Sequence, residues 1–420
     1  EGAIVKRRDF LKKTALTVGA LAASAKNVFA QEDHKEHATP GMAHTSTDGE
    51  MHHDMKMHEP VGWADPNIRP SPPPSLMGKQ MGRILTPDVQ PLGYEREGKV
   101  KVFCLIVQPV ERSIHDGIPP KDSLWYTFHE SKGMAPNMFP AMFLPKKIKG
   151  WGFNGSIPGP TIEVVEGDRV RLVVKNELPE PTSIHWHGIE LPNTMDGVGG
   201  LTQRPIMPGE TFHYEFTLYQ TGTFMYHSAF NEMKQVGMGV GGAFVIHPKQ
   251  EKQKIDRDFV IVMNEWKLLP GNSNPDVTST SPDWFTFNGK AAPSTGILDA
   301  AQGDRVRIRL INFSNQNDHP IHIHGHTWWV VGTEAGPIPK SAQWPGNTVD
   351  VPAGAARDVE FVAWNPGYWQ LHCHKLHHIM NAEVDMPMGV MPMGGLVTIL
   401  NVIPKDRNAK WRHQGGSVRQ

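Results

Sequence analysis

Histidines with the spacing of metal ligands occur in four short segments of this chain. In a β-strand, residues i and i+2 point to one face and residue i+1 points to the other. His372 and His374 can therefore reach one metal site, whereas Cys373 between them points the opposite way. His319 lies three residues before His322, has the other parity and can join Cys373. The segments are His185-Trp186-His187, His227-Ser228-Ala229, His319 to His324, and His372-Cys373-His374 with His378.

The thiol and the imidazoles predict two kinds of metal site. One cysteine and two histidines with a weak fourth ligand form a blue copper electron-transfer centre. The backbone beside Cys373 would connect that sulfur to the histidines of a second copper site, to which His322 and His324 can contribute from a shared strand face. A structural zinc site is disfavoured, because zinc needs about four ligands and this chain supplies many more in a repeated pattern.

An internal duplication is the main guide to the organisation of the chain. Four signatures recur at an offset near one domain length: Phe153-Asn154-Gly155 with Phe287-Asn288-Gly289, Gly167–Arg171 with Gly303–Arg307, His185–Gly188 with His322–Gly325, and Gly222–His227 with Gly367–His372. Charged and apolar residues alternate from Arg305 to Leu310, as in a half-buried strand. With 41 glycines and 36 prolines, the chain is predicted to be all-β, with two sandwich domains at residues 95–249 and 255–405 and a tail at 406–420.

The N-terminal residues indicate export. Arg7-Arg8-Asp9-Phe10-Leu11-Lys12 resembles a twin-arginine signal, with an apolar stretch and a cleavage site at Val28-Phe29-Ala30 behind it. Residues 1–30 are therefore predicted to be a signal peptide, too short in its apolar part to span a membrane, and the protein to be periplasmic or secreted. Residues 31–94 are expected to form a disordered arm and linker. Six His and four Met between residues 31 and 60 either bind copper or reflect chance enrichment in a polar tail.

Charge and cysteine content exclude other classes. With 42 basic and 43 acidic residues, nothing favours a nucleic acid partner. The two cysteines lie in different contexts and indicate no disulfide framework. Cys104 falls in an apolar run and is expected to be a buried, inert thiol.

On these motifs, the sequence over about 95–405 resembles the multicopper oxidase family (laccases and relatives), and its two-domain members in particular. The resemblance implies two cupredoxin-like Greek-key β-sandwich domains and copper as cofactor: one blue mononuclear copper and up to three ions in a trinuclear cluster. It also implies dioxygen and a small-molecule or metal-ion reductant as substrates. By that match, the blue copper ligands are His319, Cys373 and His378. His185 and His322 match the ligands of the single normal copper, and those of the coupled pair are matched by His187, His227, His324, His372 and His374.

Assembly and proton delivery are also implied by the resemblance. The interval from His227 to His319 leaves no room for the middle domain of three-domain laccases. Two-domain members form homotrimers in which neighbouring subunits share a cluster, and we expect the same here. Asp196 matches a position that helps proton delivery, although a carboxylate before Gly197 could equally be a turn former.

The sequence departs from the family at two positions. Ala229 stands where both the family and the second repeat, at His374, have histidine. Because a methyl group cannot bind copper, a depleted or slow cluster is expected. Glu383 stands where an axial methionine or an apolar residue is common. Glu383 could be a hard axial ligand, Met386 or Met388 could take that place, or no axial ligand binds.

Three functions follow from these observations. The main prediction is an oxidase for phenols, aromatic amines or metal ions. A run of methionines near the blue copper segment either packs an apolar wall or admits Cu(I); it comprises Met380, Met386, Met388, Met391 and Met393. A degenerate, non-catalytic copper-binding protein is the alternative that Ala229 supports. Copper nitrite reductase is less favoured, because those enzymes resemble the reverse plan, with the blue-copper cysteine in the first domain.

Overall fold

The protein is almost entirely built of β-strands in the computed structural model, which describes residues 83–126, 145–381 and 394–406. The strands of the first half are β1 (Ile84–Leu85), β2 (Glu95–Glu97), β3 (Val100–His115), β4 (Lys146–Phe153), β5 (Gly159–Val165), β6 (Arg169–Asn176), β7 (Ile184–His187), β8 (Thr211–Thr217), β9 (Gly222–Ser228) and β10 (Gly241–His247). A short helix, α1 (Glu232–Gly237), follows β9, and a 3-10 turn spans Asn193–Met195.

The strands of the second half continue the numbering. They are β11 (Arg257–Trp266), β12 (Trp284–Phe287), β13 (Leu298–Ala301), β14 (Arg305–Asn312), β15 (His319–Ile323), β16 (Trp328–Thr333), β17 (Gly336–Pro337), β18 (Trp344–Gly346), β19 (Thr348–Val351), β20 (Ala356–Val362), β21 (Gly367–Cys373) and β22 (Val397–Ile403). Two 3-10 turns lie at Lys340–Ala342 and Leu376–Ile379.

Each half forms two sheets that face each other across an apolar core, which confirms the predicted all-β fold. In the first domain, the order β2-β3-β6-β8, with β4 beside β3, faces the order β5-β10-β9-β7. In the second domain, β11-β14-β20-β16-β17 faces β13-β22-β21-β15-β19. One core is centred on Trp186 and Phe244 and the other on Trp328 and Phe361, all at most 2% exposed.

The repeated Phe-Asn-Gly signature has the same structure in both domains. Asn154 and Asn288 have φ angles of 52° and 51°, in the left-handed region that asparagine tolerates. The amide oxygen of Asn154 accepts a hydrogen bond from the Ile106 nitrogen, and that of Asn288 accepts one from Val262, both at 2.7 Å. The signature therefore ties a turn to β3 and to β11 in an equivalent way, which supports the duplication.

The two domains contact each other through apolar and charged side chains. Met225 and Val245 of the first domain belong to one buried cluster with Val260 and Phe313 of the second. Beside this cluster the buried Arg309 pairs with Asp258 at 2.8 Å and contacts the Thr223 hydroxyl of β9 at 2.7 Å. That hydroxyl donates to Asp358 at 2.6 Å. These contacts fix β9, which ends next to His227, against β14 and β20 of the second domain.

Several predictions concern residues outside the described ranges or near their ends. The signal peptide, arm residues 31–82, Glu383, the methionines from Met386 onwards and the tail beyond residue 406 lie outside them. Residues 83–94 are not a structureless linker as expected: Ile84 is buried where β1 pairs with β11, and Leu92 is buried in the first core. Cys104 is a free thiol that is half-buried rather than buried.

Candidate metal centres

Cys373, His319 and His378 converge at one end of the second domain. β15 begins at His319, β21 ends at Cys373, and the following 3-10 turn carries His378. The Nδ1 atoms of the two histidines are 3.0 Å apart, and the Sγ of Cys373 lies 3.8 Å from that of His319 and 3.6 Å from that of His378. All three side chains are buried. Cys373 and His319 thus meet on one side of their strands, as strand parity predicts.

Neighbouring side chains orient the two imidazoles. The Ser314 hydroxyl lies 2.6 Å from Nε2 of His319, and Phe285 stacks on His378 with ring centroids 4.2 Å apart. Both Nδ1 atoms are therefore directed at the sulfur. Burial lowers the pKa of His319 and of His378 to about 3 and raises that of Cys373 to about 12. Two neutral imidazoles and a thiol in an apolar pocket are a donor set that fits copper better than a hard cation.

A second group lies on the opposite side of β21. Nε2 of His324 and Nε2 of His372 are 3.1 Å apart, and His322 completes the group. His322 is oriented through Nδ1, 2.8 Å from the Asn347 carbonyl. His374 lies at the edge, exposed, with its ring centroid 5.5 Å from that of His322. Its ligand atoms are outside the compact group of three.

The first domain holds a third group, equivalent to the second. Nδ1 of His187 and Nε2 of His227 are 3.1 Å apart, and His185 completes the group. Nδ1 of His185 lies 2.8 Å from the carbonyl of Asp196 and 3.4 Å from its carboxylate. Burial lowers the pKa of His187 and of His227 to about 4. The structure thus places Asp196 next to this histidine group.

Backbone contacts show that Ala229 takes the place of His374. The Ala229 nitrogen donates to the Ser183 carbonyl at 3.0 Å, and the His374 nitrogen donates to the equivalent Pro320 carbonyl at 2.7 Å. His185 lies opposite His227 in the ladder of β7 and β9, as His322 lies opposite His372 between β15 and β21. Because the register is the same, the first domain lacks one imidazole.

A hydrogen-bonded group stands in the first domain where the second has its thiol site. By the same register Thr182 corresponds to His319, and Ser228 corresponds to Cys373. Both hydroxyls donate to the amide oxygen of Gln235, at 2.7 and 2.6 Å, and all three side chains are fully buried. The Gln235 nitrogen donates to the Pro181 carbonyl at 2.8 Å. The hydroxyl and amide groups satisfy one another and leave no thiolate or imidazole for copper.

The first-domain histidines open into a cavity of about 440 Å3. Asn312, Phe313 and Ser314 of the second domain line its far side, together with Asn315. Ala229 and Glu232 also line it. The part of the second domain that the structure describes therefore contributes no imidazole to this cavity.

Sequence reasoning missed the residues that support the ligands. Ser314 lies in the loop after β14, Phe285 lies within β12 and Glu232 begins α1, and no motif marks them. A replacement for the copper ligands could have been expected in the first domain, because extending the alignment of the repeats pairs Thr182 with His319. Gln235, which bonds to Thr182, is that replacement.

Comparison with known proteins identifies the family. Two multicopper oxidase sequence models match residues 139–251 and 269–388, together more than half of the chain. The chain therefore belongs to the multicopper oxidase family. Members of this family contain copper and couple the oxidation of a reductant to the reduction of dioxygen.

Individual relatives agree with this assignment. The chain is 41% identical to copper resistance protein A of Escherichia coli over 136 residues, which is 32% of this chain and 22% of that protein. It is 30% identical over 251 residues to putative laccase-19 of Oryza sativa subsp. indica, which is 54% of this chain and 41% of that protein. The chain thus spans less than half the length of these curated relatives.

Solved structures confirm the fold. The blue copper oxidase of Nitrosomonas europaea has a TM-score of 0.57 and 29% identity, and the match covers 72% of this chain and 85% of that one. The copper nitrite reductase of the same organism has a TM-score of 0.53 at 20% identity, covering 74% of this chain and 96% of that one, and shares the fold. Both domains are therefore cupredoxin-like sandwiches, as predicted. Among the described residues, no helix is both long and apolar enough to cross a bilayer.

Proposed function

We propose that the protein is an oxidase that couples four one-electron oxidations of a reductant to the reduction of dioxygen to water, with uptake of four protons. The observation that carries the proposal is the position of Cys373. Its sulfur faces two Nδ1 atoms within 3.8 Å on one side of β21. Its backbone neighbours His372 and His374 face the other side, so that a short covalent path joins two candidate copper sites.

The chain's own residues have separable roles in this proposal. Bound copper supplies the one-electron couple at the Cys373 site and the dioxygen chemistry at the histidine groups. His319 and Cys373 exclude water, since both are fully buried. Asp196 holds His185 through its carbonyl, and its half-exposed carboxylate 3.4 Å away can deliver protons next to the cluster. Glu383, Met386 or Met388, all outside the described residues, would supply a weak further ligand to the copper at the Cys373 site, unless none binds there.

The cluster is proposed to form between copies of the chain, in a homotrimer. Each compact histidine group in the described residues comes from a single domain. The wall that the second domain offers to the first-domain group consists of residues 312–315 and Gly354, not of histidines. A ring in which the first domain of one copy meets the second domain of the next would bring the eight-position ligand pattern together, with Ala229 as its one gap.

The missing imidazole predicts impaired activity. Replacing Ala229 by His should raise both copper content and oxygen uptake, because the backbone there already follows that of His374. Unchanged values of both would contradict the assignment of the gap.

The reductant and the location are proposed by class. Phenols, aromatic amines and metal ions, including Cu(I), are the candidates, the last supported by the copper resistance relatives. Twin-arginine export to the periplasm or the medium is proposed from Arg7-Arg8 and the apolar stretch that follows.

Copper stoichiometry with oxygen uptake tests the proposal against its alternatives. A copper-loaded sample is assayed against phenols, Fe(II), Mn(II) and Cu(I), with nitrite as an alternative acceptor. About three to four copper ions per chain with oxygen consumption supports the oxidase. About one or two ions without consumption supports a degenerate copper-binding protein, which Ala229 specifically favours. Nitrite reduction without oxygen uptake would make the protein a nitrite reductase.

A further inference from the structure

The gap at Ala229 lies beside a carboxylate that no motif predicts. Glu232 follows Ala229 by three residues and begins α1. Asn231 precedes it with φ of 47°, a left-handed residue that turns the chain before the helix. Glu232 and Ala229 line the same cavity as His185, His187 and His227.

The carboxylate of Glu232 is not committed to a basic partner. Lys234 on the same helix pairs with Glu180 instead. Within the described part of the chain, the contact recorded for the Glu232 carboxylate is with Nδ1 of His227, at 3.6 Å. Nδ1 is the ring nitrogen of His227 that is turned away from His187, so the carboxylate reaches the histidine group only in another rotamer. Because the side chain is 63% exposed, that change of rotamer costs little.

His227 does not need Glu232 for its orientation. Nδ1 of His227 lies 2.9 Å from the Ser228 carbonyl, and the equivalent Nδ1 of His372 lies 2.9 Å from the Cys373 carbonyl. A 3.6 Å separation is beyond hydrogen-bond length. The backbone carbonyl therefore holds both imidazoles, and the carboxylate has no structural task at this position.

We propose that Glu232 supplies an oxygen ligand in place of the imidazole that is missing at Ala229, to the copper ion of the coupled pair that this gap leaves under-ligated. Cu(II) accepts mixed nitrogen and oxygen ligands. The methyl group of Ala229 leaves room in the cavity for a longer side chain from the next turn. This inference rests on the proposed function, since it assumes that a copper pair forms at these histidines.

A four-variant comparison tests the role of Glu232. The full-length protein, Glu232→Ala, Ala229→His and the double variant are loaded with copper and desalted. Copper per chain is then measured by elemental analysis, and Cu(II) by electron paramagnetic resonance. Ala229→His should raise copper per chain, because an exposed carboxylate is a weaker ligand than the imidazole it replaces, and Glu232→Ala should lower it below the starting protein by up to about one ion per chain. With His at 229, adding Glu232→Ala should change nothing, because the imidazole makes the carboxylate unnecessary. Glu95→Ala, an exposed carboxylate on β2, is the matched control and should keep all its copper.

The outcomes separate this inference from the proposed function. An equal loss in both backgrounds would mean that Glu232 acts through the fold or through His227, and would overturn the ligand role. No loss in either background would also overturn it, while leaving the oxidase intact. If the starting protein holds copper at the Cys373 site alone, with its blue absorption but no further ions, the proposed cluster and this inference both fail.

Discussion

The copper affinity of the Cys373 site should depend on pH with a slope of one proton. Copper binds a thiolate and neutral imidazoles, so that protons on these groups must leave when the metal enters. In the metal-free fold, burial holds the pKa of Cys373 at about 12 and those of His319 and His378 at about 3. Across the neutral range the site is therefore a thiol with two imidazoles that are already neutral.

The displaced protons give the magnitude. One proton leaves per copper bound, so the apparent affinity rises about tenfold per pH unit, or about a thousandfold from pH ~5 to pH ~8. The sign follows from the thiol: at lower pH its proton is harder to displace, so copper binding weakens. Had both imidazoles kept their usual pKa near 6.5, protonating them would add a further loss of about 300-fold between pH ~6.5 and pH ~5. The depressed pKa values remove that second loss.

Competition with a chelator of known proton affinity measures the slope. Blue absorption reports the occupied site, and Cys373→Ser, which lacks the thiol, sets the baseline. A slope near three protons below pH ~6.5 would show that the imidazoles are not buried as described. A flat profile would show that the thiolate already exists without metal. Either result would refute this account of the site.

Three further changes have distinct expected results. Cys373→Ser should abolish blue absorption while copper at the histidine groups remains, as shown by the visible spectrum and the copper count. Gly197→Ala places a Cβ at φ +90° and 1.8 Å from the Ile184 carbonyl, which should destabilise the fold by at least about 1–3 kcal/mol and lower copper content at the adjacent histidine group. Arg309→Met removes the 2.8 Å partner of the buried Asp258, which keeps Arg307 at 3.5 Å, and the arginine beside the buried Asp358, and should cost about 3–5 kcal/mol in denaturant unfolding. The exposed control Arg169→Met should cost less than about 1 kcal/mol, and equal losses in the two arginine variants would contradict the buried-pair argument.

Local pattern was enough to predict an all-β fold and the strand face on which most of the candidate ligands lie. Period-two alternation fixes which side chains share a face, so that Cys373 was placed opposite its neighbours before any tertiary information. The repeat then fixed the pairing of segments, since His185–Gly188 and His322–Gly325 occupy the same register in both domains. Those two regularities account for the two sandwiches. Of the ten histidine and cysteine positions predicted as ligands, nine fall in the three close groups of the described residues, and one of the nine, His378, was assigned by the family resemblance.

What escaped prediction depends on contacts between distant segments. Ile84 is buried only because β11 presents an open edge to β1, and nothing in the polar sequence around it indicates that edge. Gln235 lies on α1 and reaches the place in the first domain that is equivalent to the Cys373 site. The loop after β9 sets the position of that helix. His374 lies at the margin of its group, because it follows the end of β21, where strand parity no longer constrains a side chain.

The buried arginine between the domains has a consequence for assembly. Sliding one sandwich over the other would break the hydrogen bonds that the Thr223 hydroxyl of the first domain makes with Arg309 and Asp358 of the second, at a cost of about 1–3 kcal/mol for each buried group left unpaired. In the proposed ring, each copy would thus present its two sets of imidazoles at an angle that these contacts between its domains hold. If copies close head to tail as proposed, that angle would set how many of them complete the ring.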